Sequence, residues 1–426
     1  MKWKALISRG LIGGWGVIVL GLLVSCTPAG GAAEAAPVDY TLILSDPFTN
    51  TAVRLDPLTL TGSGDAPLAD LWSTDGRTGI SVVAEAGRAN PDPEKTWIVI
   101  HDLAGGAERA RFHPPVAGII SGLSADGRRL LWQPFPLPVG VYPPPVDWYV
   151  LDTAGGTVVS HVVDKDSACF RQSALLAPDG RRLYCLVDPA LNEISGSQLI
   201  RIATYDVTKP TNPTAPVGNP AAEVILETRI GQQPNANQTG WELLEPALAL
   251  SPDGATLAVV HADADRLTLL DAANLSITQS LDLHSPVSNL LDLLGLSARP
   301  AHAKGETSGT LRHAVFSADG RRLYVYSQVL TLPDEPPPAE RGLWLVDPAR
   351  GRVAAAALGD YQIQWVVPAP DGSIFVYGTA DDSLFAHEIR ETSPSLLWRL
   401  DGTTLDVLAK REFTGYRGGR TAVGPP

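Results

Sequence analysis

Two short patterns of apolar and polar positions recur along almost the whole chain, and each combines an apolar run with an aspartate-bearing turn. Apolar runs of this length bounded by turn residues are typical of β-strands, and glycine after aspartate supplies the positive φ of a tight turn. In the first pattern the turn is Ser/Ala-x-Asp-Gly, with its aspartate at Asp75, Asp126, Asp179, Asp253, Asp319 and Asp371. In the second pattern the run itself ends in the aspartate, at Asp56, Asp102, Asp152, Asp206, Asp271, Asp347 and Asp401. Successive copies lie 46 to 76 residues apart, which predicts radially repeated sheets.

One repeat unit is clearest between Trp241 and Leu281. The strand LLEPALAL leads into the turn at Asp253, and the runs TLAVV, RLTLLD and SITQSL follow with tight connections. Four antiparallel strands joined in this way make one propeller blade. The recurring aspartates are therefore expected to form turns, and we do not assign them a catalytic role.

The first pattern has six copies and the second has seven, and this difference predicts how the ring of blades closes. We label the strands of a blade a to d from the axis outward. The strand ending at Asp56 is a c strand preceded by the b strand YTLILS, but no Asp-Gly turn precedes that b strand. The C-terminal segment TGYRGGRTAVG is the candidate for the missing strand a. We predict an all-β fold: a single β-propeller of seven four-stranded blades, closed by pairing of the N- and C-terminal strands, with six or eight blades as alternatives.

Several repeats resemble those of the YVTN-type, TolB-like and WD-type propeller superfamily. The resemblance rests on SPDGATLAVVHADADRLTLLDAANLSITQSL, SADGRRLYVYS and GLWLVDPARGRVAAAAL, and it covers roughly residues 38–420. It implies the propeller fold and leaves the function open, because these propellers perform very different tasks.

The N-terminus carries a targeting pattern. Three basic residues precede an uncharged run from Leu11 to Val24, which is too short to span a bilayer comfortably. The run leads into Leu-Val-Ser-Cys26, which resembles the lipobox of bacterial lipoproteins. The resemblance implies cleavage before Cys26 and attachment of diacylglycerol to its thiol. An ordinary secretory signal is the alternative.

These features divide the chain into three parts. We expect a lipoprotein signal peptide at residues 1–25, a flexible tether at 26–37 and the propeller at 38–426. The mature protein would then be anchored in the lipid bilayer of the cell membrane through acylated Cys26 and would face the extracytoplasmic side.

Charge and motifs limit the classes of function. A formal net charge of −13 argues against nucleic acid as a partner, because its phosphates require a basic surface. The sequence contains no zinc-protease, haem, serine-hydrolase or nucleotide-binding motif. We therefore identify no metal, no cofactor and no catalytic residue.

Two cysteines remain in the mature propeller. Cys169 and Cys185 fall in one predicted hairpin with its turn near Asp179. In an oxidising compartment they could form a cross-strand disulfide, and two buried free thiols are the alternative.

Long connections collect on one predicted face. Because successive strands reverse direction, b–c and d–a connections emerge together. Binding residues usually lie on elaborated loops carried by a rigid scaffold, so this face is the predicted binding face. The long connections that belong to it are residues 84–95, 133–146, 188–198, 328–341, 378–395 and 282–309.

Polar residues in the innermost strands form a second candidate site, at the mouth of the central channel. These residues could contact a ligand. Alternatively, the polar ones only line a water-filled channel, and Trp365 packs between blades. The candidate contacts are Arg171, Glu245, Arg312, His313, Gln364 and Trp365.

Two functions from different classes follow. The first is a monomeric, lipid-anchored scaffold that is not an enzyme and binds a protein, peptide or glycan. The second is a lactonase- or quinoprotein-like enzyme with its site at the channel mouth, which requires carboxylate, histidine or asparagine side chains within reach of one ligand.

Overall fold

A computed structural model of the chain separates residues 1–37 from residues 38–426, and everything that follows concerns the second unit. The structure describes residues 40–46, 51–66, 68–73, 75–84, 92–102, 106–134, 145–188, 199–208, 220–228, 230–234, 241–283, 308–330, 342–379, 394–413 and 420–424. Cys26 and most of each long connection lie outside these ranges. None of the helical segments in the described residues is long and apolar enough to cross a membrane.

The described residues are almost entirely β-strands. In the first half of the chain the strands are Thr41–Asp46 (β1), Thr51–Leu55 (β2), Gly62–Asp65 (β3), Leu71–Trp72 (β4), Thr78–Ala84 (β5), Thr96–Asp102 (β6), Glu108–Phe112 (β7), Gly118–Leu123 (β8), Arg129–Pro134 (β9), Pro145–Asp152 (β10), Val158–Leu176 (β11), Arg182–Asp188 (β12), Leu199–Asp206 (β13) and Ala222–Glu227 (β14). One turn of 3-10 helix, Pro93–Lys95, precedes β6.

The second half of the chain contributes the remaining strands. They are Gly231–Pro234 (β15), Trp241–Glu245 (β16), Ala247–Leu250 (β17), Thr256–Val260 (β18), Arg266–Asp271 (β19), Ile277–Asp282 (β20), Ser308–Phe316 (β21), Leu323–Leu330 (β22), Leu343–Asp347 (β23), Arg352–Ala357 (β24), Gln362–Pro368 (β25), Ser373–Thr379 (β26), Ser395–Asp401 (β27), Val407–Phe413 (β28) and Arg420–Gly424 (β29).

These strands form the seven predicted four-stranded blades. Blade 1 has the order β29-β1-β2-β3, blade 2 is β4 to β7, blade 5 is β17 to β20, and blade 7 is β25 to β28. Blades 3 and 4 share β11, whose first half is strand d of blade 3 and whose second half is strand a of blade 4. Strands β21 to β24 form blade 6.

The two chain ends close the ring as the sequence predicts. Strand β29 pairs antiparallel with β1, from Thr41 opposite Gly424 to Ser45 opposite Arg420. The C-terminal strand therefore supplies strand a of blade 1, and the b strand of that blade has no exposed inner edge.

One element departs from the predicted blade pattern. The segment that the sequence predicts as a single strand of blade 5 is divided at Pro246 into β16 and β17. Strand β16 pairs with β15 in a hairpin and runs parallel to β21 of blade 6. Proline has no N–H for a ladder, and its preceding residue has restricted φ and ψ, so the strand changes neighbour there.

Side-chain hydrogen bonds of serine and aspartate build the a–b turns. In blade 5, Ser251 Oγ donates to Asp253 Oδ1 at 2.6 Å, and the Ala255 N–H donates to the same oxygen at 3.0 Å. The Ser251 hydroxyl also accepts the Thr256 N–H at 2.9 Å. The hydrogen bond from Ser251 lowers the pKa of the Asp253 carboxyl. Equivalent Ser–Asp bonds occur in blades 2, 3 and 6, so these aspartates are turn residues.

The c–d turns need a residue with positive φ at their fifth position. Glycine supplies it at Gly156 and Gly351, whereas leucine occupies it at Leu60, Leu275 and Leu405, with φ near +60°. These leucines are no more than 3% exposed. Leu275 packs into the core between blades 4 and 5, so burial offsets the strain of the turn.

We expect Leu275→Ala to destabilise the propeller more than Leu275→Gly. Both variants lose the buried side chain, which costs about 2–4 kcal/mol, but only glycine relieves the positive φ and regains about 1 kcal/mol. Urea unfolding of both variants measures the difference. If alanine proves the milder change, backbone strain is unimportant at this turn.

The hydrophobic core lies between neighbouring blades. The core between blades 4 and 5 contains residues such as Ile202 and Leu257, both fully buried. Tyrosine hydroxyls add hydrogen bonds across blade boundaries. Tyr184 donates to the Ala272 carbonyl, and Tyr324 donates to the Gly402 carbonyl, both at 2.9 Å. The ring is therefore a continuous rigid scaffold for its loops.

Candidate functional site

Two faces follow from the direction of the strands. The face that carries the b–c and d–a connections is called the loop face, and the opposite one the turn face. Apart from the c–d connection 207–221, the long connections begin and end at strand ends on the loop face. This agrees with the predicted asymmetry, although the connections themselves lie largely outside the described residues.

Bulges interrupt three of the innermost strands. The register shifts between Ile120 and Gly122 in β8, and between Ile363 and Trp365 in β25. The inserted residues are Ser121 and Gln364, and Gln364 is one of the predicted contacts at the channel mouth. A bulge redirects local side chains and often lies beside a functional site.

The third bulge is larger and lies in β11. The register of β11 with β12 shifts between Cys169 and Ala174. Arg171, another predicted contact, belongs to this part of the strand, and its side chain lies outside the described residues.

A disulfide joins the two cysteines of the same hairpin. Cys169 is bonded to Cys185, with their Cα atoms 6.0 Å apart. Both residues are fully buried in the core between blades 3 and 4.

The hairpin of β15 and β16 is the main described addition to the loop face. Because β16 lies on the inner side of β21, the hairpin extends the sheet of blade 6 toward the channel. Strand β16 also contacts β11 of blade 4. The hairpin therefore adds two strands at the inner edge of blade 6, in contact with the strand that blades 3 and 4 share.

Arg312 is held in a boundary between blades. Its Nη1 donates to Ser327 Oγ at 2.6 Å, and its Nη2 donates to Asp265 Oδ1 of blade 5 at 3.0 Å. The guanidinium carbon lies 5.2 Å from the ring centre of Trp344. The side chain is only 2% exposed. This arrangement joins blades 5 and 6 and satisfies much of the guanidinium's donor capacity.

We expect Asp265→Ala to destabilise the protein more than Arg312→Met. The alanine variant leaves a buried cation without its carboxylate, whereas methionine removes the charge and retains an apolar stem. Because Asp265 is 31% exposed, we expect a cost of about 1–3 kcal/mol for the alanine variant. Urea unfolding decides the order, and a larger loss for Arg312→Met would show that the ion pair itself stabilises the boundary.

His313 is held on the other side of the same strand. Its ring stacks on Tyr326, with ring centres 4.9 Å apart and planes 15° from parallel. Burial lowers the pKa of His313 to about 4, so the imidazole is neutral near pH 7. Within the described part of the chain, its buried Nε2 has no hydrogen-bond partner.

The remaining predicted contacts have different surroundings. Glu245 is 4% exposed at the end of β16, in register with Leu311 of β21. Gln364 is partly exposed at its bulge. Trp365 packs against the core between blades 7 and 1, together with Phe375 and Tyr377. This contact corresponds to packing between blades, the alternative role that the sequence offers for this tryptophan.

The b–c turn of blade 5 contains residues that the sequence did not single out as a link between blades. His261 Nε2 lies 2.9 Å from Thr268 Oγ1, and Arg266 donates to the Glu227 carbonyl of blade 4. Thr228 donates to Asp263 Oδ1 at 2.6 Å. The turn therefore connects blade 5 with blade 4 as well as with blade 6. Only spatial neighbours reveal this role, because the partners are distant in sequence.

Acid should weaken the propeller through His261. Burial lowers the pKa of this histidine to about 4, whereas an unfolded histidine titrates near about 6.5. Between these values only the unfolded chain binds the proton, so the free energy of unfolding falls as the pH falls, by on the order of 3 kcal/mol. Urea unfolding from pH 7 to pH 4.5 measures the slope. His261→Gln should reduce the slope by about half, because burial lowers the pKa of His313 to about 4 as well, and an unchanged slope would exclude His261 as a source.

No group of three or more His, Cys, Asp or Glu side chains in the described ranges is arranged to hold a metal ion. Arg312 and His313 point to different blade boundaries, so they do not converge on one atom of a ligand.

Comparisons with known proteins return only distant matches. No protein-family model and no curated protein matches the chain. Among solved structures, a periplasmic gluconolactonase of Pseudomonas aeruginosa is 16% identical over 91% of this chain and 99% of its own, with a TM-score of 0.49. A putative 6-phosphogluconolactonase of Bacteroides fragilis is 13% identical over 89% and 99%, with a TM-score of 0.45. A putative TolB of Agrobacterium tumefaciens is 12% identical over 92% and 99%, with a TM-score of 0.38. Likenesses this distant do not indicate a function.

Proposed function

We propose that this protein is a lipid-anchored, extracytoplasmic β-propeller that binds a protein, peptide or glycan at its loop face. The observation that carries the proposal is the unequal elaboration of the two faces. On the turn face, most connections are tight turns closed by aspartate and backbone hydrogen bonds. On the loop face, most long connections begin and end, and the hairpin of β15 and β16 adds two strands beside the channel.

Hydrogen bonds across blade boundaries hold the strand ends in fixed positions. Binding residues usually lie on elaborated loops carried by such a rigid scaffold. The negative net charge of −13 argues against a nucleic-acid ligand.

Site-specific photocrosslinking in native membranes tests which face of the propeller binds the ligand. The photoreactive residue replaces Glu94, which is exposed on the loop face, or Arg128, which is exposed on the turn face. We expect crosslinked products from position 94 and few from position 128. Products from position 128 alone, or equally from both, would contradict the proposal.

The anchor is tested separately. Mass spectrometry of the mature N-terminus should show a diacylglyceryl group on Cys26, and Cys26→Ser should release the protein from membranes. An unmodified Cys26 on a membrane-bound chain would overturn the lipid anchor without affecting the binding face.

A lactonase-like enzyme is the second candidate, and His313 favours it. Its neutral imidazole has a buried Nε2 without a hydrogen-bond partner among the described residues. Water would have to reach this atom before it could accept a proton from water attacking a carbonyl. Hydrolysis of sugar lactones by the purified protein, lost at least tenfold in His313→Gln, would support this function. Activity that is absent, or equal in the variant, would remove His313 as its basis.

A further inference from the structure

An aromatic and charged patch lies at the loop-face end of blade 2. Val83, near the end of β5, is the cross-strand partner of Trp97, near the start of β6. Val83 is 50% exposed, Trp97 is partly exposed, and His113, which follows β7, is exposed. The ring centres of Trp97 and His113 are 3.6 Å apart. Together with Glu108 and Arg111 of β7, these residues form the surface that we call the Trp97 patch.

Glu108 and Arg111 contribute an exposed ion pair to the Trp97 patch. Arg111 donates to the Glu108 carboxylate through Nε at 3.0 Å and through Nη2 at 2.6 Å. Its guanidinium carbon lies 5.8 Å from the ring centre of Trp97. The side chains of Arg111 and Glu108 are 47% and 42% exposed, so the pair presents further N–H donors and carboxylate lone pairs to a ligand.

The Trp97 patch faces blade 1. Ile98 and Phe112 pack in the core between blades 2 and 3, and successive side chains of a strand point to opposite sides, so Trp97 and Arg111 are directed toward blade 1. The outer strand of that blade, β3, has the sequence Gly-Ser-Gly-Asp and is exposed throughout. A Cβ atom at Gly64 would meet no atom within 4 Å, so the boundary between blades 1 and 2 has open space at its outer edge.

A sugar ring has chemistry complementary to this patch. Its C–H groups are apolar, whereas its hydroxyl groups both donate and accept hydrogen bonds. The row of Val83 and Trp97 suits the C–H groups, because an aromatic side chain presents a large apolar surface of fixed shape. The ion pair suits the hydroxyl groups, and so does His113. Its Nδ1 donates to the Thr96 carbonyl oxygen at 2.9 Å, so Nε2 is the acceptor of the neutral ring.

The charges around the patch favour an uncharged ligand. Those of Glu108 and Arg111 cancel each other. The 3-10 helix that precedes β6 adds Glu94 and Lys95, whose charges also cancel. The patch therefore has no net charge with which to attract an acidic or a basic partner. The net charge of −13 on the whole chain also repels acidic ligands.

We propose that the Trp97 patch binds a neutral oligosaccharide, with a sugar ring against Trp97 and Val83 and with hydroxyl groups hydrogen-bonded to Arg111 and Glu108. This inference rests on the proposed binding function of the loop face. It selects a glycan from the classes of ligand proposed there and places the contact at the edge of blade 2.

An array of neutral, acidic and basic oligosaccharides tests the class of ligand. The purified full-length protein should bind neutral members in preference to charged ones. The binding should change less than about twofold between about 50 mM and about 500 mM NaCl, because salt screens only interactions between charges. Preference for acidic or basic glycans, or no binding to any neutral glycan, would overturn the proposal.

Three variants locate the site. Trp97→Leu should weaken binding of the preferred neutral glycan at least tenfold, and Arg111→Ala at least fivefold. Arg350→Ala is the matched control, because Arg350 forms an ion pair of the same length and spacing with Asp347 on the turn face. It should leave binding unchanged. Arg111→Ala alters only an exposed ion pair, so it tests the site even if Trp97→Leu unfolds. Undiminished binding by Arg111→Ala and by a folded Trp97→Leu would overturn the site.

The crosslinker at position 94 separates this inference from the proposed function. Proteins crosslinked from that position, without glycan binding by the purified protein, would overturn the oligosaccharide and leave the loop face as the binding face. Glycan binding that Arg350→Ala abolishes and Arg111→Ala leaves intact would contradict both proposals, because the ligand would then lie on the turn face.

Discussion

Removal of residues 420–426 is expected to abolish the stable propeller. Strand β29 completes blade 1 through five residue pairs with β1, and Val423 joins the core that also contains Leu42 and Leu44. Loss of a buried valine and a strand ladder costs about 5 kcal/mol or more, which is comparable with the whole stability of an ordinary domain. The ring would also open and expose a long strand edge to other chains.

Thermal unfolding followed by circular dichroism, together with size-exclusion chromatography, measures this effect. A chain that lacks only Pro425 and Pro426 is the matched control, because β29 ends at Gly424. We expect the control to unfold like the unchanged protein and the longer truncation to aggregate or lose its cooperative transition. A longer truncation that melts like the control would show that blade 1 is stable with three strands.

Closure of the ring by pairing of β29 with β1 shows which features the sequence alone can predict. The a–b and c–d turns depend on residues within a few positions of one another, such as Ser251 with Asp253. Local patterns of this kind are visible without a structure, and their unequal numbers identify the blade that lacks a strand. Counting repeats therefore predicts the pairing of β1 with β29, although the two strands are at opposite ends of the chain.

The hairpin of β15 and β16 could not be predicted in the same way. Its β15 sequence, GQQP, is short and lacks the apolar alternation of a typical strand. The parallel pairing of β16 with β21 joins segments more than 60 residues apart, as Glu242 opposite Ser308 shows. Neither pairing leaves a local signal, and both depend on the arrangement of blades around the axis.

The channel lining is a second feature that the sequence does not predict correctly. Arg312 and His313 are adjacent in sequence, and their polar character predicts that both belong to one ring of polar groups at the channel mouth. Successive side chains of a strand point to opposite sides. Arg312 accordingly contacts Asp265 of blade 5, while His313 stacks on Tyr326, which packs into the core between blades 6 and 7. A pattern of polar residues along one strand therefore does not define one ligand site.

Replacement of both Cys169 and Cys185 by alanine should lower the free energy of unfolding by about 3–4 kcal/mol. The two cysteines are 16 residues apart, and closing a loop of that length in the unfolded chain contributes about 3 kcal/mol. The two fully buried sulfur atoms also leave small cavities in the core between blades 3 and 4. Urea unfolding in non-reducing buffer measures the loss.

Addition of dithiothreitol separates the bond from the cavities. The reductant breaks the sulfur–sulfur bond of the unchanged protein but has no target in the double variant. We expect the midpoint of the unchanged protein to fall most of the way to that of the variant, because loop closure exceeds the cavity contribution. A midpoint that stays constant while mass spectrometry shows two free thiols would mean that packing of the cysteines, and not their bond, stabilises this boundary.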